Sequence, residues 1–237
     1  MKKTLLLVAV LLAVTASVAM AAAGVNLTWG SNCYGDGAVP NNTFQCNSNT
    51  GGVAGTLTLS FMTAAIHTDF VAIGFYLEGQ SDAVTLPDWW KMGAGECRAN
   101  AITMNTGFPT YGGVCTDLWQ SLGGGGIGLY SDDTNRMHLN AAWAMADSIT
   151  IDPNIEYLAA QFNFSRAKTV GTGACAGCDT KAIWSIYRLE IGFLSHPTEM
   201  LTFPLANQCV TWQTSTLSCT LVPTRNTTWG QVKSLYR

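Results

Sequence analysis

Apolar residues recur at every second position in several stretches of the chain. In residues 55–62, Leu57, Leu59 and Phe61 point one way, while Thr56, Thr58 and Ser60 point the other. A period of two is the signature of a half-buried strand. Residues 136–143 repeat it, with Met137, Leu139, Ala141 and Trp143 set against His138 and Asn140. In residues 155–164, Leu158, Ala160, Phe162 and Phe164 are expected on one face, with Gln161 and Asn163 opposite. Residues 70–77 are apolar on both faces and predict a central strand. Residues 127–130 and 137–143 flank the polar turn Ser131-Asp132-Asp133-Thr134-Asn135, which predicts a hairpin. Residues 182–194 have no clear period, but their Ile, Trp and Tyr content favours a strand. The glycine run 123–126 is followed by neither a lysine nor a helical pattern. It therefore reads as a mobile loop rather than a phosphate cradle.

Strands at this spacing, with turn residues between them, predict an all-β fold. The expected architecture is a two-sheet sandwich, of jelly-roll or immunoglobulin-like type, with long disulfide-pinned loops. The N-terminus adds a separate segment. Lys2 and Lys3 precede an apolar run, and Ala19-Met20-Ala21 fits the small-x-small pattern of a cleavage site. Residues 1–21 are thus read as a signal peptide, and residues 22–237 as a single sandwich with a tail from about residue 220. In that tail Thr228 and Gln231 have capping-box spacing, and Trp229, Val232 and Tyr236 share a helical face. A short C-terminal helix is expected there. The apolar run of the signal is too short to span a bilayer comfortably, and no second such run follows. No membrane span is expected after signal removal.

Charge narrows the field further. There are 12 Lys and Arg against 15 Asp and Glu, so the basic footprint of a nucleic-acid binder is missing. Hydrophobic residues make up 48% of the chain, which excludes wholesale disorder. The 8 cysteines form an even set, and in an exported chain that reads as a disulfide framework. They fall into four local couples, and neighbour pairing is expected: Cys33 with Cys46, Cys97 with Cys115, Cys175 with Cys178, Cys209 with Cys219. Each of the longer loops, if closed, would restrict the unfolded chain by about 3 kcal/mol. Cys175-Ala-Gly-Cys178 has C-x-x-C spacing. Glycines precede it and a strand-like run follows, so the helix N-terminus of a redox motif is missing. A zinc site would need two more ligands, and His67, His138 and His196 are scattered along the chain. No cofactor and no metal are expected.

Trp89-Trp90 is the most suggestive feature for binding. It follows Pro87 in a loop-like region near Cys97 and Cys115, with Tyr111 and Trp119 close in sequence. Flat rings on a rigid loop make binding platforms, so Trp89, Trp90, Tyr111 and Trp119 are the candidate ligand-binding residues. The competing expectation is that one or both tryptophans plug the open end of the sandwich. In an extended segment adjacent residues face opposite ways, so at most one of them would be exposed. Asp88 and Glu96 flank the pair and are the nearest candidates for a glycoside-cleaving carboxylate couple. Asp132, Asp133 and Asn135 could offer oxygens to Ca²⁺, or simply form a polar turn. No catalytic set is recognisable.

Three segments carry a resemblance. They are Leu86-Pro87-Asp88-Trp89-Trp90-Lys91, residues 166–173 with Cys175-Ala176-Gly177-Cys178, and the ending at residues 228–237. Together they resemble a group of uncharacterised exported bacterial proteins, over most of the mature chain. The resemblance implies a shared fold and export, and brings no known activity with it. The order of parts is also loosely similar to cohesin-type and carbohydrate-binding sandwiches, including a strand after Pro153 with Tyr157 and Phe162. Such a likeness speaks to fold only. The expected role is a non-enzymatic binding module in the periplasm, at the cell surface or outside the cell, with a glycan or protein ligand. A secreted carbohydrate-active hydrolase and a structural envelope component are the alternatives.

Overall fold

A computed structural model describes residues 24–106, 115–120, 122–132, 134–202 and 207–217. The expected signal peptide, Tyr111, Asp133, Cys219 and the expected C-terminal helix lie outside these residues. The described chain is an all-β sandwich of two sheets. One sheet runs β1 (Gly24–Trp29), β3 (Val53–Met62), β9 (Tyr157–Ser165), β5 (Ile102–Asn105), with β6 (Thr116–Asp117) also on β9. The other runs β2 (Asn41–Asn42), β12 (Cys209–Trp212), β10 (Ala182–Phe193), β4 (His67–Ser81), β8 (Arg136–Ile151), β7 (Gly124–Ser131), with β11 (Glu199–Thr202) also on β10.

Alternation explains most of the core. Leu57, Leu59 and Phe61 of β3 face Phe75 and Leu77 of β4, Met137 and Leu139 of β8, and Trp184 and Ile186 of β10; all are essentially buried. The central position expected for residues 70–77 holds, because β4 lies between β10 and β8. The ambiguous stretch at 182–194 is strand β10. A bulge opposite Leu77 and Tyr76 interrupts its alternation, so Tyr187 and Arg188 both point away from the core between buried Ile186 and Leu189. A second bulge lies in β9. Ala160 pairs with Leu59 but Leu158 pairs with Ser60, so Leu158 turns to the opposite face from Ala160. Leu158 was expected beside Phe162 and Phe164; it packs instead against Cys33 and Cys115 on the outside of the sheet.

That outer face is not solvated. Thr28, Thr58 and Ser60 have no exposed surface, although alternation marks Thr58 and Ser60 as solvent-facing. The loop after β1 covers them. Val39 donates its backbone N–H to Thr28 Oγ1 (2.8 Å), Thr58 Oγ1 donates to the Gly30 carbonyl (2.6 Å), and Glu156 receives the N–H of Gly35 (2.9 Å) and the Ser60 hydroxyl. Buried polar groups are tolerated here because each finds a partner.

The glycine run is a strand and not a mobile loop. Gly124, Gly125 and Gly126 open β7 and pair with Ala144, Trp143 and Ala142. A Cβ on Gly125 would stand 2.8 Å from the Trp143 ring, and one on Gly123 would stand 2.8 Å from its Nε1. The Trp143 indole fills the space that these glycines leave.

Neighbour pairing is overturned for three of the four couples, those of Cys33, Cys46, Cys97, Cys115, Cys175 and Cys178. The bridges are Cys33–Cys115, Cys46–Cys178 and Cys97–Cys175, with sequence separations of 82, 132 and 78. Cys209 is disulfide-bonded as well. Cys175 and Cys178 sit on one loop and reach to two different loops, so the C-x-x-C spacing serves two bridges. Strand crossings bring distant loops together at one end of the sandwich, and sequence proximity ceases to decide the partner. Bridges of this kind belong to proteins that fold in an oxidising compartment rather than in the cytoplasm. No helix among the described residues is long and apolar enough to cross a membrane.

Candidate functional site

Trp89 and Trp90 lie in a 3₁₀ turn, Asp88–Trp90, and both are buried, at 0% and 2% exposure. The turn removes the alternation of an extended segment, so both rings point inward. They join Trp29, Phe44, Phe164, Trp184 and Trp212 in one cluster. Ring centroids are 4.9 Å apart for Trp89–Trp90, 5.3 Å for Trp90–Trp212 and 5.2 Å for Phe164–Trp184. Two bridges close over this end, and the Trp89 backbone N–H donates to the Ala176 carbonyl inside the C-x-x-C loop (2.8 Å). Arg98 lies beneath, 1% exposed, its guanidinium 3.6 Å from the centre of the Trp89 ring. It donates to the carbonyls of Trp89 (3.0 Å), Ala167 (3.1 Å) and Ser165, and burial pushes it down to about 9. Trp119 is also buried, its indole N–H held by the Ala159 carbonyl at 2.7 Å. The pair therefore plugs the sandwich, and none of these three tryptophans presents a ring to solvent.

The carboxylate candidates are likewise engaged. Asp88 pairs with Lys91 (2.8 Å), and Glu96 receives the Gly93 N–H (2.5 Å) and the Ser131 hydroxyl (2.9 Å). Asn135 spends its amide on the Ser81 and Ala83 carbonyls, while Asp132 takes the Thr134 hydroxyl and N–H. These are turn and loop fastenings.

A different surface gathers unspent chemistry: the outer face of the sheet that contains β4, β8 and β10. Register lays it out in rows across the strands. One row is Arg188, Tyr76, Asn140, Gly128; the next is Ser185, Glu78, His138, Tyr130. Tyr130 is 47% exposed, and its inner face stacks on the His138 imidazole at 4.7 Å and 16°. His138 is in turn set between carboxylates, with Nε2 3.4 Å from Asp132 and Nδ1 3.8 Å from Glu78. Arg188 covers the Tyr76 ring at 3.8 Å and pairs with Glu190 at 3.0 Å, and Tyr187 stands 6.2 Å from Tyr76. Beyond this strip the rows hold Glu190, Gly74, Ala142 and Gly126, then Gly192, Ala72, Ala144 and Gly124. All of these but Gly126 line an open trough of about 280 Å³.

The electrostatics are balanced within the face. Arg136 pairs with Glu78, and Arg188 with Glu190. Burial pushes the Glu78 carboxyl up against the pull of Arg136 and His138. Burial works the same way on Asp132, but the hydrogen bonds from Thr134 and His138 outweigh it and hold that carboxyl down. Burial also raises the Tyr187 phenol, with Tyr130 and Glu78 adding to it. Among the described residues, six buried side-chain polar atoms have no hydrogen-bond partner. Three of the six, His138 Nδ1, Asn140 Oδ1 and Arg188 Nε, belong to these two rows. Native proteins leave few such atoms unpaired, and a cluster of them calls for a partner.

Two of the scattered histidines do meet elsewhere. His67 and His196 lie 6.1 Å apart around Phe193, with His67 3.5 Å from Glu199 and His196 3.1 Å from Asp69. Ser195 gives both its hydroxyl and its N–H to Asp69, which lowers that carboxyl. No group of three potential metal ligands is suitably placed among the described residues.

His138 and Asn140 were visible in the sequence as the polar side of a strand. Tyr187 and Arg188 were not, because the β10 bulge breaks the pattern that would have placed them. Comparison with protein-family models, with curated proteins and with solved structures finds no match.

Proposed function

We propose that this chain is an exported bacterial binding module, working in the periplasm, at the cell surface or outside the cell, and that its ligand rests on the outer face of the larger sheet. The observation that carries this reading is the concentration of unpartnered polar atoms around the tyrosines. Tyr130 supplies an exposed ring backed by His138, while Asn140, His138 and Arg188 keep hydrogen-bonding capacity that no protein group uses. Leaving a buried polar group unpaired costs about 1–3 kcal/mol, and a ligand that supplies the partner recovers it. Binding, rather than catalysis, suits a face whose acidic groups are tied to arginines and whose trough is open.

Glycan and peptide arrays probed with the purified mature chain test the proposal. Retention on at least one array that Tyr130→Ala abolishes is the expected result. Sustained release of reducing ends from the same glycans would mark a hydrolase instead and overturn it. Export predicts a mature N-terminus at Ala22, read by N-terminal sequencing of the secreted protein.

A further inference from the structure

We infer that the ligand of this face is an uncharged glycan chain, laid across the strands from Tyr130 on β7 toward Tyr76 and Tyr187. The inference rests on the binding-module reading above and names its ligand. Three features of the face select the chemistry.

The first is the aromatic pair of stations. Tyr130 offers its outer ring face to solvent, since the inner face is taken by His138. Tyr76, covered by Arg188 and flanked by Tyr187, forms a second station two strands away. With strands about 4.8 Å apart and about 3.4 Å per residue, this diagonal separates the two Cα atoms by about 12 Å. A short run of linked sugar rings covers such a distance; the C–H face of a sugar packs against the exposed Tyr130 ring, and the second station meets the ligand through the Arg188 guanidinium that covers Tyr76. Both stations are stiffened before any ligand arrives, which lowers the ordering cost of binding.

The second is the kind of polar atom left over. Asn140 Oδ1 accepts, Arg188 Nε donates, and His138 Nδ1 does either, depending on its tautomer. The residues that carry them are partly exposed while the three atoms themselves are buried, so a ligand reaches each atom only as its side chain turns outward. A hydroxyl both donates and accepts, so a polyhydroxylated ligand can satisfy a mixed set of this kind. An extended peptide would bring its N–H and C=O groups to a strand edge, and these atoms lie on a sheet face.

The third is charge. Arg136 is matched by Glu78, Arg188 by Glu190, and Asp132 faces His138. No cation is left free on these rows to hold a uronate, sulfate or phosphate. Beside the Tyr130 station, Gly126 and Gly128 keep the surface low, and a Cβ on Gly126 would meet nothing within 4 Å. A flat ring can lie close to the backbone there.

Titration calorimetry with cellohexaose, xylohexaose, mannohexaose and chitohexaose tests the inference, with polygalacturonate as the acidic arm and a peptide array beside them. The expected result is binding to at least one neutral hexasaccharide, weakened about 30-fold in Tyr130→Ala and in Tyr76→Ala, as for aromatic hot spots. Tyr130→Phe, which keeps the ring, should bind like the unaltered protein, and Asn140→Ala should bind more weakly. Binding confined to polygalacturonate, or affinity unchanged in both alanine variants, overturns the inference. A peptide bound in a Tyr130-dependent way, with no glycan bound, overturns it while leaving the binding-module reading intact. Silence in every arm overturns both.

Discussion

The stapled end of the sandwich and the open face of its larger sheet both gather aromatic residues, and use them in opposite ways. At the stapled end, Trp89, Trp90 and Trp212 are enclosed, and two disulfides tie the loops shut above them. On the open face, Tyr130 keeps one ring surface in solvent, and its neighbours keep hydrogen-bonding atoms unspent. On the binding role proposed above, the contrast separates stability from recognition. Indole carries most of its value as buried area: Trp119 gives its N–H to the Ala159 carbonyl, while Trp90 and Trp184 stay buried with theirs unpaired. A tyrosine on a sheet face gives up little burial and keeps an amphipathic surface available. The contrast also shows how a tryptophan pair beside a proline misleads a search for binding platforms: rings that look like bait in the sequence can be the plug.

The sharpest way to break this comparison is to cut a staple. Cys46 and Cys178 are separated by 132 positions and Cys97 and Cys175 by 78, so each bridge restricts the unfolded chain by about 4.5–5 kcal/mol in the loop-entropy model. That exceeds the figure expected for neighbour pairing, because the closed loops are longer. The double variant Cys46→Ala, Cys178→Ala should lose about 2–5 kcal/mol in denaturant melts, and non-reducing peptide mapping should show the two remaining distant bridges, Cys33–Cys115 and Cys97–Cys175.

Next come the rings themselves. Trp90→Ala should cost about 3–5 kcal/mol, the range for emptying a large core site. Tyr130→Ala, measured in the same melts, should stay within about 0.5 kcal/mol, as surface changes do. Equal losses in the two variants would erase the distinction between plug and platform.

The smallest effect concerns protons on the open face. Burial raises the Glu78 carboxyl above its ordinary value of 4.5. A carboxyl that holds its proton more tightly when folded favours folding at low pH. Its contribution is complete below about 4.5 and is lost as pH rises through the raised folded value. Relative to Glu78→Gln, which cannot titrate, the unaltered protein should therefore lose thermal stability as pH is raised from about 4 to about 7. A gap between the two that stays constant over this range would show that burial of Glu78 does not act on folding.

Much of the fold was legible because strand alternation is a local property. Leu57, Leu59 and Phe61, and Met137, Leu139 and Ala141, went where a period of two puts them, and the hairpin around residues 131–135 followed from its polar turn. What failed depended on a second segment arriving. Thr58 and Ser60 read as solvent-facing until the loop after β1 lay over them. Leu158 was misplaced by a bulge, and Tyr187 with Arg188 could not be placed at all for the same reason.

By itself, then, the sequence determined an all-β sandwich, its central strand and an oxidised set of cysteines, since alternation, composition and an even cysteine count act through near neighbours or through the chain as a whole. The tertiary structure alone decided which cysteines meet, that Trp89 and Trp90 face inward, and that Tyr76, Tyr130, His138, Asn140 and Arg188 share one face. Each of these rests on the juxtaposition of segments far apart in the chain. Sheet order and single-residue bulges set such encounters, and a one-residue shift in a strand reverses every side chain beyond it.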